Sequence, residues 1–251
     1  MKNPKICVGD VFPTRSGGDC VVITILPRSR MSVRFTDEAG YETITTSTSL
    51  HCGSVKNPYA PSVFGVGFIG VGPHAVSINR RDSELYGRWK AILQRCFSEK
   101  WHDGYPTYRG CTIDPGWLNF QVFASWVSDQ TGFGIDDWQI DKDFVEPGNK
   151  HYGPDTCALM PQRLNKLMTG TSGQNGLPRG VSWHSKYDKY GATCRDGSGK
   201  DVFLGRYDSA AEAFSAYKSF KEVVIKSATE AFRSILDPRL YKSLMSYEVS
   251  P

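Results

Sequence analysis

No stretch of this chain approaches the roughly 18 to 20 consecutive apolar residues that a membrane-spanning helix needs, and its start, MKNPKICVGDVF, has no long apolar run. The expectation is a soluble, intracellular protein with no membrane partner. Paired cysteines are lacking too. The seven cysteines, Cys7, Cys20, Cys52, Cys96, Cys111, Cys157 and Cys194, are odd in number, scattered, and never spaced C-x-x-C. That argues against a disulfide framework and against a zinc ribbon, and it fits a reducing cytosol. Nor is there a large excess of one charge: at a net +4, affinity for nucleic acid has to come from a local basic patch. What is present is apolar and aromatic content, 39% and 12%, enough for 251 residues to bury a core and hold two or three small domains.

Residues 8–50 alternate apolar and polar side chains and break at glycine clusters, which predicts strands over 8–12, 20–26, 31–36 and 41–46. Short strands on short loops predict a small β-barrel, and the pattern loosely resembles Tudor or KOW-type modules. Such a module grips nucleic acid or a partner protein, or serves folding and dimerisation. A connector follows, NPYAPSVFGVGFIGVGP, in which Gly65, Gly67 and Gly70 spell G-x-G-x-x-G. A dinucleotide site needs a strand before this motif and a helix opening on its third glycine. Pro61 precedes it and Gly72-Pro73 follows, so no helix can start there. The connector reads as an extended arm packing Tyr59, Phe64 and Phe68.

Helical periodicity takes over at 83–100, where Leu85, Trp89, Ile92, Leu93 and Cys96 share a face and Asp82 or Ser83 can cap the start. Trp117, Phe120, Phe123, Ala124 and Val127 repeat the pattern over 117–129. Both stripes read as core, and Arg88, Lys90 and Arg95 as a solvated face.

The stretch QIDKDFVEPGNKHYGPDTCALMPQRLNKL, 139–167, reads as a β-hairpin and a helix: a strand over 138–144, a second over 157–160, and a helix entered through Pro161 and continued by 162–168. It resembles the HNH, or His-Me finger, nucleases, phage homing endonucleases among them. Ile140-Asp141-Lys142 stands at the first strand, Pro154-Asp155-Thr156-Cys157 at the loop closure, and Asn165 on the helix. With YGRWKAILQRC, WLNFQVFASW and DKDFVEPGNK the resemblance widens to 58–168. It implies that Asp141 and Asn165 hold a Mg or Mn ion, without zinc. Two departures stand out. Lys142 replaces the general-base His, and Thr156 replaces the loop Asn. A lysine at its ordinary pKa of about 10.4 is protonated at neutral pH and takes no proton from water. His151, in the loop, is either a substitute base or a plain surface residue. Two readings stay open: a metal-dependent centre in which Lys142 or His151 orients water or neutralises charge, and a degenerate core kept as a scaffold.

GTSGQNG, 170–176, is the clearest linker. Beyond it, strands are predicted over 180–185, 190–195 and 200–207, then a long amphipathic helix capped by Ser209 that covers the sheet with Ala213, Phe214, Ala216, Tyr217, Phe220 and Val224. Arg179-Gly180-Val181, Tyr190, Leu204-Gly205-x-Tyr207 and AAEAFSAY at 210–217 resemble the ethylene-response-factor DNA-binding domain, whose relatives occur fused to phage HNH endonucleases. The resemblance implies a sheet that enters the major groove. Arg179, His184 and Arg195 fall at positions held by contacting arginines, and Phe203 replaces a tryptophan. Trp183, Lys186, Lys189, Lys200 and Arg206 are further nucleic-acid candidates. Ser182 and Thr193 stand where the family has charges, so base preference should differ. The tail, 234–251, either docks as a short helix or frays.

The sequence thus predicts an α+β protein in five parts: a small N-terminal β-barrel (1–57), a helical plus ββ-metal, HNH-like core (58–169), a linker (170–176), a three-stranded sheet packed on a helix (177–233) and a tail (234–251). The resemblances imply a phage protein in the host cell cytoplasm, an endonuclease nicking double-stranded DNA. The alternative is a non-catalytic DNA-binding effector that uses the HNH-like core as a scaffold and takes a host protein as partner.

Overall fold

A computed structural model describes residues 5–135, 137–146, 148–168 and 176–251; of the expected linker only Gly176 lies within them. The architecture is mixed α+β, with small antiparallel sheets and, among the described residues, seven α-helices. No helix is long and apolar enough to cross a membrane, among the residues described.

Alternation builds the first sheet as expected, with ends displaced by up to three residues. β1 (Val11–Pro13), β2 (Asp19–Leu26), β3 (Arg30–Phe35) and β4 (Glu42–Thr46) form an antiparallel meander in that order. Its buried face carries Cys20, Val22, Met31, Val33 and Phe35, joined by Leu50 and Val55. The first strand begins later than position 8 because Gly9 takes φ +92° and the Cys7 N–H donates to Asp10 Oδ2 at 2.7 Å, making a turn. The expected barrel is not closed. β1 and β4 are the two edges and do not pair; instead Thr46 Oγ1 accepts the Ser49 N–H at 3.2 Å and caps α1 (Ser47–His51), a helix the alternation gave no sign of.

The glycine-rich arm owes its glycines to close approach. A Cβ on Gly67 would lie 2.4 Å from Leu93 and 2.9 Å from the Trp89 ring. Tyr59 and Phe68 pack with ring centroids 5.9 Å apart, whereas Phe64 is left exposed. A two-residue hairpin, β5 (Ser77–Ile78) with β6 (Arg81–Asp82), leads into α2 (Glu84–Phe97), which Ser83 caps. The expected helix over 83–100 is two: Ser98 takes extended dihedrals, accepts the Trp101 N–H at 3.3 Å and starts α3 (Glu99–Gly104). After β7 (Thr112–Ile113) a 3-10 turn, Pro115–Leu118, precedes α4 (Phe120–Ser128). The aromatic stripes are core, as read: Trp89, Trp117, Phe120 and Phe123 are buried, and Trp89 Nε1 donates to the Trp117 carbonyl at 2.7 Å.

The chain divides into two compact units, Met1–Trp126 and Val127–Pro251. In the second, β8 (Trp138–Asp141) pairs with β10 (Ala158–Pro161), Asp141 opposite Ala158 and Trp138 opposite Pro161. Between them lies β9 (His151–Tyr152), and after them α5 (Gln162–Met168). β11 (Val181–His184), β12 (Lys189–Arg195) and β13 (Asp201–Tyr207) form an antiparallel sheet in that order, and α6 (Ala210–Ala231) lies on one face of it. Ser209 and Glu212 close a capping box at its start. The tail docks, as α7 (Pro238–Met245).

One apolar core joins these parts. Met160 of β10, Leu164 and Met168 of α5, Cys194 of β12, Tyr217 and Ile225 of α6, and Leu240 and Leu244 of α7 are buried in one cluster. In this cluster α6 and α7 cover Ala158 and Met160 of β10. Gly180 shows how tight the fit is. It takes φ +76°, and a Cβ there would fall 2.1 Å from the Tyr217 ring. Both left-handed strain and overpacking oppose any side chain. Gly180→Ala is therefore expected to cost about 2 kcal/mol or more, read as a lowered urea midpoint with unchanged slope.

Candidate functional site

At the hairpin, Asp141 ends the strand by its own side chain: Oδ2 accepts the Phe144 N–H at 2.8 Å, so the chain turns where a strand to 144 was expected. The residue is only 8% exposed. Burial, with Asp143 adding to it against the backbone donors and Lys142, pushes its pKa up to about 6. Lys142 is buried as well. Its ammonium donates to the Asp143 carboxylate and, at 2.8 Å, to the Asn149 carbonyl, and stands 5.7 Å from the centre of the Tyr152 ring. These bonds make it a donor that ties the loop together.

His151 is held by its backbone. Its N–H donates to Asn149 Oδ1 at 2.8 Å, and its carbonyl accepts from Asn149 Nδ2 at 2.7 Å and Thr156 Oγ1 at 2.8 Å. Thr156, standing where the resemblance puts an Asn, thus closes the loop from within. Asn165, on α5, donates its amide to Gln139 Oε1; Gln139 and Asp141, two apart on β8, share a strand face. Cys157 beneath is inert, its thiol pushed up to about 12 by burial.

Mg²⁺ or Mn²⁺ wants ionised carboxylates among several oxygen ligands. The one carboxylate of the expected pair is buried with its pKa raised to about 6, and the amide of its partner Asn165 donates Nδ2 to Gln139. No group of three or more His, Cys, Asp or Glu side chains that could hold a metal occurs among the described residues.

The second candidate surface is the solvent face of the β11–β12–β13 sheet. Register sends Tyr190, Ala192 and Cys194 toward α6, so Gly191, Thr193 and Arg195 face outward with their partners Ser182, Phe203 and Arg206. His184 lies over Gly191, where a Cβ would meet its ring at 2.3 Å, and its Nε2 is 3.1 Å from Ser182 Oγ. Arg206 stacks its guanidinium 3.8 Å from the centre of the Tyr187 ring and 5.3 Å from that of Phe203. Tyr187 and Phe203 remain 47% and 50% exposed, aromatic surface that a core would have covered.

The sequence candidates separate on this map. His184, Lys186 and Arg206 gather on the outward face, Lys186 5.5 Å from the Tyr187 ring. Arg195 is at its end, paired with Asp201 at 3.3 Å; Lys189 is paired with Asp208; Lys200 is exposed in the β12–β13 turn. Trp183 turns to the other side and meets Tyr190 edge-on at 4.8 Å. Arg179 precedes β11 and lines a cleft instead. The sequence reading passed over Tyr187, whose turn between two strands was the available signal. It also passed over Arg239 of the tail, which pairs with Asp237 at 2.9 Å and donates to the carbonyls of Pro154, Asp155 and Cys157, bracing the loop closure.

Comparison with protein-family models, with curated proteins and with solved structures finds no match to this chain.

Two outcomes follow from this geometry. Arg239→Ala, which removes several charge-assisted bonds at a partly exposed site, is expected to destabilise by roughly 1–3 kcal/mol, measured by urea unfolding. For Asp141, folding raises the pKa from 3.8 to about 6, so the folded state is favoured while the group is protonated and loses that advantage as pH rises between those values. Relative to Asp141→Asn, the wild-type protein should lose on the order of 3 kcal/mol over that window and none beyond about pH 7. A difference that is flat, or that grows with pH, would show the carboxylate to be solvated or charge-paired.

Proposed function

We propose that this chain binds double-stranded DNA through the outward face of the β11–β12–β13 sheet and that the β8–β10 hairpin serves it as a scaffold. The observation that carries the reading is the exposed stack of Arg206 on Tyr187 and Phe203, with His184 alongside. A cation held flat against aromatic rings is pre-ordered to meet phosphate or base edges at little entropic cost. The resemblance of 179–217 to the ethylene-response-factor domain supports the same face. In the scaffold reading of the HNH-like hairpin, Lys142 and Thr156 are loop-closing donors standing where the general base and loop Asn of a nuclease would be.

Arg206→Ala is expected to weaken duplex binding by about 5- to 100-fold, equivalent to roughly 1–3 kcal/mol, and to lower the salt slope by about 1. Unchanged affinity and slope would remove the assignment. Supercoiled plasmid incubated with the protein and Mg²⁺ or Mn²⁺ is expected to stay supercoiled. Nicking that disappears in Asp141→Ala and Asn165→Ala would instead restore the hairpin as a cutting centre.

A further inference from the structure

At the end of the C-terminal sheet, α5, the β12–β13 turn and α6 enclose a cleft of about 930 Å³. Five basic residues line it, Arg163 and Lys166 from α5, Arg179 from the turn before β11, Arg195 from β12 and Lys221 from α6, against three acidic ones, Asp137, Asp196 and Asp201. Two of the acids have partners of their own. Asp196 Oδ1 is taken by its own turn, accepting the Ser198 N–H at 2.8 Å, the Ser198 hydroxyl at 2.7 Å and the Lys200 N–H at 2.9 Å. Asp201 pairs with Arg195.

The other cations meet neutral groups or none. Arg163 donates to the Gly197 carbonyl at 3.0 Å and Lys166 to Gln162 Oε1 at 2.7 Å. Arg179 and Lys221 have no hydrogen-bond or ion-pair partner among the described residues. Lys221 is half-buried, and burial, then the charges of Arg179 and Arg195, pull its pKa down. Like charges brought together in a partly desolvated cleft repel, and an anion between them relieves both costs. The volume falls in the range of small-molecule sites, far beyond what one monatomic ion fills. Arginine forks and a lysine point charge are the groups that take phosphate oxygens.

We propose that this cleft binds a phosphate-bearing ligand, with Arg179 and Lys221 as its principal contacts and Arg163 at its rim. Phosphate oxygens complete donors that the fold leaves without acceptors. The ligand's source is a free nucleotide-sized phosphate compound or the backbone of a nucleic acid lying along the cleft. The site is distinct from the aromatic stack on the outward face, and its readout needs no DNA, so it stands or falls apart from that surface.

Thermal unfolding of the full chain with inorganic pyrophosphate tests it. At a hundredfold excess over Kd the unfolding temperature should rise by about 5 °C, and sodium chloride at equal ionic strength should not reproduce the rise. Lys221→Met and Arg179→Gln should each remove most of it. Arg163→Ala, at an exposed helix position that leaves folding intact, should reduce it. No rise in the wild-type protein, or an equal rise in all three variants, overturns the proposal. Competition then identifies the source: pyrophosphate that weakens binding of a short duplex oligonucleotide several-fold marks the cleft as part of a nucleic-acid path, and pyrophosphate that binds without affecting the duplex marks it as a site for a free phosphate compound.

Discussion

The contact of the Tyr217 ring with the bare backbone of Gly180 is the constraint around which the second compact unit is arranged. It brings α6 against the start of β11 closely enough that Tyr217 also reaches the core shared by the hairpin, α5 and the tail. A buried leucine or methionine in such a core is worth about 1.5–3 kcal/mol, so Met160, Leu164, Leu240 and Leu244 together bind the elements far more firmly than any surface ion pair could. The hairpin, the three-stranded sheet and the tail therefore fold as parts of one core.

Charge is distributed according to this arrangement. Inside the hairpin, the Lys142 ammonium is consumed by an adjacent carboxylate and a loop carbonyl, and Asp141 spends an oxygen on the turn that ends its strand. Groups used in this way specify a loop. On the outward face of the sheet and in the cleft at its end, Arg206 is set against rings, Arg163 against a carbonyl, and Arg179 and Lys221 against no hydrogen-bond or ion-pair partner among the described residues, while Arg195 and Lys189 keep carboxylate partners. That is where anion binding is proposed.

Much of the fold was legible because its signals are local. Period-two alternation marked the longer strands, the helical stripes of Trp89 and Phe120 marked core, and Ser209 marked the start of α6. Ends were read less well. The strand after Trp138 stops at Asp141 because a side chain takes the Phe144 N–H, and the helix expected to reach position 100 breaks where Ser98 caps a new one. Each is a competition between a side-chain acceptor and the backbone ladder, which periodicity does not register. The open first sheet has a similar cause, since Thr46 caps a helix where closure needed more strand.

Residue types and their order determined by themselves most of the longer strands and helices, and that basic and aromatic residues would crowd the C-terminal sheet. Tertiary structure alone decided how those residues divide: Arg206 onto Tyr187 and Phe203, Trp183 to the other side, Arg179 into a cleft with Lys221, and Lys142 into its own loop. The reason is that a side chain's electrostatic partners are set by packing between segments distant in sequence, and spacing along the chain carries no record of which carboxylate, carbonyl or ring will stand opposite.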